Sequence, residues 1–137
     1  MGNVFAEITL KNNGDVTNVQ RGIISDKDVR TLTITALVDT GAMTLVINED
    51  TSKKLGLTIV GTRTVYLAGG KEAFCKITEP VQIHWRERDA VCNAWVLPGE
   101  DEPLLGVTPL EYMDLIVDPV RNELTGAHGD RVMGRIK

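Results

Sequence analysis

Between Thr31 and Val38 the chain alternates strictly, with Leu32, Ile34, Ala36 and Val38 on one face and three threonines with Leu37 on the other. A period of two in β-branched residues predicts a pleated strand with one buried face. The strand stops on Asp39-Thr40-Gly41. A carboxylate closing an apolar strand must be hydrogen-bonded, because its desolvation otherwise costs several kcal/mol. The Gly41 amide is the nearest donor. Glycine permits the tight turn that brings that amide to the carboxylate, and Thr40 offers a hydroxyl to the turn or to a neighbour.

The same alternation marks further strands. Val4, Ala6, Ile8 and Leu10 form one face of a strand over Asn3 to Leu10, and Asn12-Asn13-Gly14-Asp15 then reads as a turn. Asp15 to Arg30 is polar and reads as a long loop or irregular hairpin. Asn48 caps a short predicted helix through Leu55, which Gly56 stops. Thr62–Ala68 and Glu72–Thr78 are predicted strands about a Gly69-Gly70 tip, and Val81–Arg86 and Ala90–Leu97 a second hairpin turning at Glu87-Arg88. Near the C-terminus Thr108-Pro109-Leu110-Glu111 carries the signals of an N-cap, a first-turn proline and a capping box, which predicts a helix over Pro109 to Met113. Leu115 to Asp118 is a strand that Pro119 ends, and Arg121 to Leu124 returns beside it. The expectation is one mainly β domain over 1–137 with its core at about 31–124, and a tail, 126–137, that is loose or pairs with a partner chain.

Composition removes several classes of function. The longest stretch free of charged residues, Ala90 to Gly99, is about half of the roughly 20 apolar residues a spanning helix needs. Fifteen basic against nineteen acidic side chains leave a net charge of −4 and no basic stripe to neutralise phosphates, so neither nucleic acid nor membrane is an expected partner. Met1 to Lys11 lacks a basic patch followed by an apolar run, and the expected location is cytoplasmic. Cys75 and Cys92 sit in apolar stretches and read as reduced, buried side chains.

Asp-Thr-Gly alone is also ordinary turn chemistry. Its surroundings add to it: the apolar lead-in, Ala42, and the run Leu45-Val46-Ile47 recur in shape at Pro103-Leu104-Leu105-Gly106, each a strand, a glycine turn and a helix. The hairpin with the two-glycine tip lies between them. This arrangement resembles the retropepsin-like aspartic proteases over most of Thr31 to Leu124. The resemblance implies a closed, mostly antiparallel β-domain with one short C-terminal helix. It also implies that Asp39 is the catalytic aspartate, that the Thr40 hydroxyl locks two active-site loops together, and that Gly41 donates its amide to the carboxylate. Ala42 matches the alanine usual in the retroviral form, Gly69 and Gly70 the tip of a flap that closes over substrate, and Gly106 the second glycine turn. Tyr66 or Leu67 would pack over bound peptide, giving Ala42, Tyr66, Leu67, Gly69 and Gly70 as the substrate-binding set. The family uses two carboxylates and this chain has one triplet, so the resemblance implies a homodimer. Met43 and Val107 stand where retroviral members commonly carry a paired acid and arginine; with both absent, no orphan charge is left.

Other candidates have plainer readings. His84 shares a strand face with Gln82 and Arg86 and reads as exposed, while His128 lies in the tail. Two histidines and two cysteines without close spacing predict no metal site, and no cofactor is expected. Glu100-Asp101-Glu102 reads as a solvated loop, and Trp85 and Trp95 as packing residues. Two functions follow: a homodimeric aspartic endopeptidase acting on peptide or protein, or a non-catalytic dimeric peptide-binding or scaffolding module of the same fold in which Asp39 only holds the turn. Retention of acid, hydroxyl and glycine together favours the endopeptidase.

Overall fold

The computed structural model describes residues 2–99 and 101–136. Met1, Lys137 and Glu100, the last part of the acidic run read as a solvated loop, lie outside the described residues. The domain is mainly β. β1 (Phe5–Asn12) and β2 (Thr31–Val38) pair antiparallel with Ile8 opposite Ile34, so the alternating apolar faces of both strands coincide. β3 (Leu45–Ile47), β4 (Ile59–Tyr66), β5 (Glu72–Trp85), β6 (Arg88–Val96) and β7 (Leu104–Leu105) complete one sheet in the order β1-β2-β7-β3-β6-β5-β4. β1 also pairs with β5, which closes the sheet on itself and leaves β4 at an outer edge. Most pairings are antiparallel; β2 with β7 and β3 with β6 are parallel. β8 (Leu115–Asp118) and β9 (Glu123–Gly126) form a separate hairpin. Leu10, Leu45, Ile47, Leu55, Ile83 and Leu105 are fully buried in the space the sheet encloses.

Three α-helices are present among the described residues where the resemblance implied one: α1 (Asn13–Gln20), α2 (Glu49–Lys54) and α3 (Val107–Tyr112). α1 and a single 3₁₀ turn at Asp26–Asp28 occupy the stretch read as a loop. The turn-like run before it is a helix start: Asn12 Oδ1 accepts the Asp15 amide at 3.1 Å. Asn, Asp and Gly serve turns and N-caps alike, and α1 has no apolar stripe to separate the two readings. Asn12 Nδ2 donates to the Leu55 carbonyl at 2.9 Å, joining the start of α1 to the end of α2. α2 forms as read, with Asn48 Oδ1 accepting the Thr51 amide and Gly56 at φ +61° behind it.

Two further expectations shift. The segments read as separate strands on either side of Glu79 are one long strand, β5, irregular between Ile77 and Pro80 where proline has no amide to give. The turn after it falls on Arg86-Glu87, with Arg86 at φ +51°, and Arg88 enters β6 as a buried residue. Its guanidinium donates to the carbonyls of Met113, Asp114 and Gly129. Trp85 is buried, with the Arg86 guanidinium 4.5 Å from its ring centroid, and Arg63 lies 5.3 Å from that of the half-buried Trp95. No helix of the described residues is long and apolar enough to cross a membrane.

Candidate active site

β2 delivers Asp39 to the point where β7 runs between β2 and β3. The Asp39 amide donates to the Leu105 carbonyl at 3.0 Å, and the Leu37 amide to Pro103 at 2.9 Å. Asp39 Oδ1 accepts the Gly41 amide at 2.8 Å, the bond expected from the sequence. The Ala42 amide returns to the Asp39 carbonyl at 3.1 Å and closes the turn. A Cβ on Gly41 would stand 3.1 Å from Asp39 Oδ1, so a side chain there would press on the carboxylate. The carboxylate itself is half-buried, and Oδ2 bonds no group among the described residues.

The second glycine turn braces the first. Gly106 caps α3 with its backbone, while the Val107 amide donates to the Ala42 carbonyl at 2.9 Å and the Thr108 amide to Met43 at 2.8 Å. These carbonyls satisfy the first amides of α3, which is why the helix begins two residues before the expected Pro109 and makes no use of Thr108 as a side-chain cap. A Cβ on Gly106 would meet the Thr44 carbonyl at 2.4 Å and the Ala42 carbonyl at 2.5 Å. Only glycine allows this approach. Thr44, not singled out in the sequence, is buried and donates its hydroxyl to the Asn93 carbonyl at 3.1 Å, tying the end of the loop to β6. A buried hydroxyl at the head of an apolar run is the signal that marks it.

Asp39, Gly41, Ala42 and Gly106 are therefore brought together. Thr40 stands beside them, exposed, and its hydroxyl makes no bond within the chain among the described residues. Tyr66, Leu67, Gly69 and Gly70 are elsewhere, at the far end of the β4–β5 hairpin, and no hydrogen bond joins them to the Asp39 loop among the described residues. The tip is closed by the Gly70 amide on Leu67 and the Leu67 amide on Lys71, with Gly69 at φ +87° and Gly70 at φ +83°. Nothing lies within 4 Å of a Cβ placed at either glycine, and Tyr66 is exposed. Met43 is also exposed, and the two loops hold together through the backbone bonds to Ala42 and Met43 without the charged pair.

The remaining candidates lie apart from Asp39. His84 is half-buried rather than exposed; Nε2 lies 2.6 Å from Gln82 Oε1, and burial holds its ring below the usual histidine range. Cys75 is buried and Cys92 half-buried, both free thiols pushed up by desolvation and so poor nucleophiles. No three His, Cys, Asp or Glu side chains come together to hold a metal among the described residues.

Among known proteins, the model of the family described as "gag-polyprotein putative aspartyl protease" matches residues 14–112, about seven-tenths of the chain. The match includes the Asp39 loop, the glycine-tipped hairpin and α3. No curated protein matches the chain.

Proposed function

The chain belongs to that family of aspartyl proteases, and from this premise we propose that it is a homodimeric aspartic endopeptidase of the retropepsin-like fold, in which two Asp39 carboxylates, one from each copy, activate a water. The observation that carries the proposal is the Asp39 carboxyl itself, fixed by the Gly41 amide through one oxygen and left with the other unbonded at the half-exposed end of a braced loop. The chain holds a single Asp-Thr-Gly, so a carboxylate pair requires a two-fold axis on which the same loop faces itself. Thr40, exposed beside it, would bond across that axis.

Two carboxylates about 3 Å apart cannot both ionise cheaply, so the pair shares a proton. The ionised member takes a proton from the water as it attacks the peptide carbonyl. The protonated member gives its proton to the carbonyl oxygen, and the amine nitrogen is protonated as the C–N bond breaks. An extended peptide would bond the hairpin as an added strand while the tip closes over it, with Tyr66 or Leu67 against the substrate. Asp39→Asn tests the proposal: peptide cleavage should fall by at least about 10³-fold with the circular dichroism spectrum and dimer content unchanged. Cleavage that survives this substitution removes the mechanism.

A further inference from the structure

Five apolar side chains lie outside the core on one register row of the sheet. Leu37 stands opposite Leu104, Leu104 opposite Val46, Val46 opposite Trp95 and Trp95 opposite Ile77, so the row crosses β2, β7, β3, β6 and β5. Their chain neighbours Ala36, Leu45, Ile47, Ala94, Val96 and Leu105 fill the core, and alternation turns the row itself to the opposite face. Val46 is buried there and the other four are half-buried. Asp39 stands two residues beyond Leu37 and continues the same face. The stripe therefore starts beside the carboxyl proposed to be catalytic.

Its far end is charged. Arg63 stands opposite Cys75 on the face that Gly61 and Ile77 share, and its guanidinium lies over the Trp95 ring, 5.3 Å from the centroid. A guanidinium held by its face on a ring keeps its N–H edges free, and it gives up little further freedom when a carboxylate joins it. Arg63 is exposed and takes part in no ion pair among the described residues, whereas Lys76 of the same hairpin is paired with Glu49 at 3.3 Å. A Cβ placed at Gly61 would meet nothing within 4 Å, so this end of the stripe is open. The local charge is also positive: from Ile59 to Thr78 there are Arg63, Lys71 and Lys76 against Glu72 alone, in a chain whose net charge is −4.

We infer that Arg63 is a specificity-determining residue that takes the carboxylate of a glutamate side chain in the peptide substrate, with the methylene stem of that glutamate laid on Val46 and Trp95. Glutamate suits the position better than aspartate, because its longer stem covers apolar surface before the charge meets the cation. Strands about 4.8 Å apart put Trp95 about 14 Å across the sheet from Leu37, and an extended peptide advances about 3.3 Å per residue, so the glutamate falls within about four residues of the bond cleaved. The inference rests on the endopeptidase reading above and adds the class of substrate that the site selects.

The test is cleavage of a randomised synthetic peptide library by the full chain at a pH above about 5, where glutamate is ionised, with the cut positions read by mass spectrometry. Glutamate is expected to be enriched at a position within about four residues of the cut. A peptide with Glu there should be cleaved with a kcat/KM roughly 10-fold above that of its Gln counterpart. Arg63→Gln should erase this ratio, Arg63→Lys should keep part of it, and Arg63→Glu should invert the choice so that Lys is cleaved ahead of Glu. A merely structural role for Arg63 would change kcat/KM for both peptides alike and leave their ratio in place. No acidic enrichment near the cut, or an enrichment that survives Arg63→Gln, overturns the inference, and the protease reading stands if Asp39→Asn still abolishes cleavage. A native chain that cleaves no member of the library removes the protease reading and this inference together.

Discussion

Asp15, in the first turn of α1, and Asp39, at the end of β2, both accept a backbone amide, and the fold then treats the two carboxylates in opposite ways. Asp15 is used up by its own chain: Oδ2 takes the Arg30 amide at 3.0 Å and Nε at 2.9 Å, and Oδ1 takes Nη2 at 2.9 Å. The guanidinium packs close against Gly56, where a Cβ would stand 1.8 Å from Nη1. Asp39 has one amide, no cation within ion-pair reach among the described residues, and an unbonded oxygen. Its neighbours direct their bonds to the loop's backbone rather than to the carboxyl. A carboxylate saturated within the chain is a fastener, whereas one held rigid by its surroundings and left open can bind a water or a second copy of itself.

The largest expected effect breaks the rigid half of this contrast. Gly106→Ala drives a methyl into the Thr44 and Ala42 carbonyls, which are backbone atoms with no room to yield. A loss of about 3 kcal/mol or more in denaturant unfolding is expected, with cleavage lost alongside. Full stability in this variant would mean that α3 and β7 do not brace the Asp39 loop.

The fastener should respond differently. The Arg30 guanidinium and amide hold the Asp15 carboxyl below the usual carboxylate range. Its stabilisation is therefore complete above the unfolded value of about 3.9 and disappears as the pH falls through the lower folded value. Asp15→Asn should cost about 1 to 2 kcal/mol at pH 7, since Arg30 is half exposed to solvent. It should also flatten the melting temperature between pH 5 and about pH 2 relative to the native chain, and leave the pH profile of cleavage in place. An unchanged acid limb of stability would show that the pair contributes nothing.

The hairpin tip extends the contrast to the substrate's side. Gly70→Val forces a β-branched residue to φ +83°, but nothing lies within 4 Å of a Cβ there, so the exposed tip has room to rearrange and relieve the strain. The melting temperature should move by no more than about 3 °C, while turnover drops roughly 10-fold because closure is hindered. A fall in melting temperature with turnover intact would make the hairpin purely structural.

The strands and the Asp39–Gly41 bond were legible because alternation and a tight glycine turn are local properties of the chain. β2 ends where Thr31–Val38 predicts, and α2 takes the cap and stop that Asn48 and Gly56 provide. What was not legible depends on distant partners. α1 has no apolar face and is held by Asn12 and Arg30; α3 is capped by carbonyls of a loop some 60 residues earlier, which no local signal at Thr108 could reveal. Thr44 likewise acquires its role only once β6 lies beside it, and Arg88 only once the carbonyls of Met113, Asp114 and Gly129 reach it.

The smallest expected effect concerns Ala42, whose amide closes the turn opened by Asp39. A serine there would place a hydroxyl in the same turn, close enough to donate to an ionised carboxylate and favour its charged form. Alanine supplies no such donor, so the proton shared by the pair should be held to higher pH in the native chain. Cleavage needs the singly protonated pair, so activity has an alkaline limb where the shared proton leaves. In Ala42→Ser the alkaline limb of the profile should move down by about half a pH unit, equivalent to well under 1 kcal/mol. Dimer content must be followed at each pH, because loss of the pair by dissociation would also lower activity. If dimer content is constant and the limb stays put or moves up, a hydroxyl at position 42 does not reach the carboxylate, and the Gly41 amide remains the one donor that the loop presents to Asp39 among the described residues.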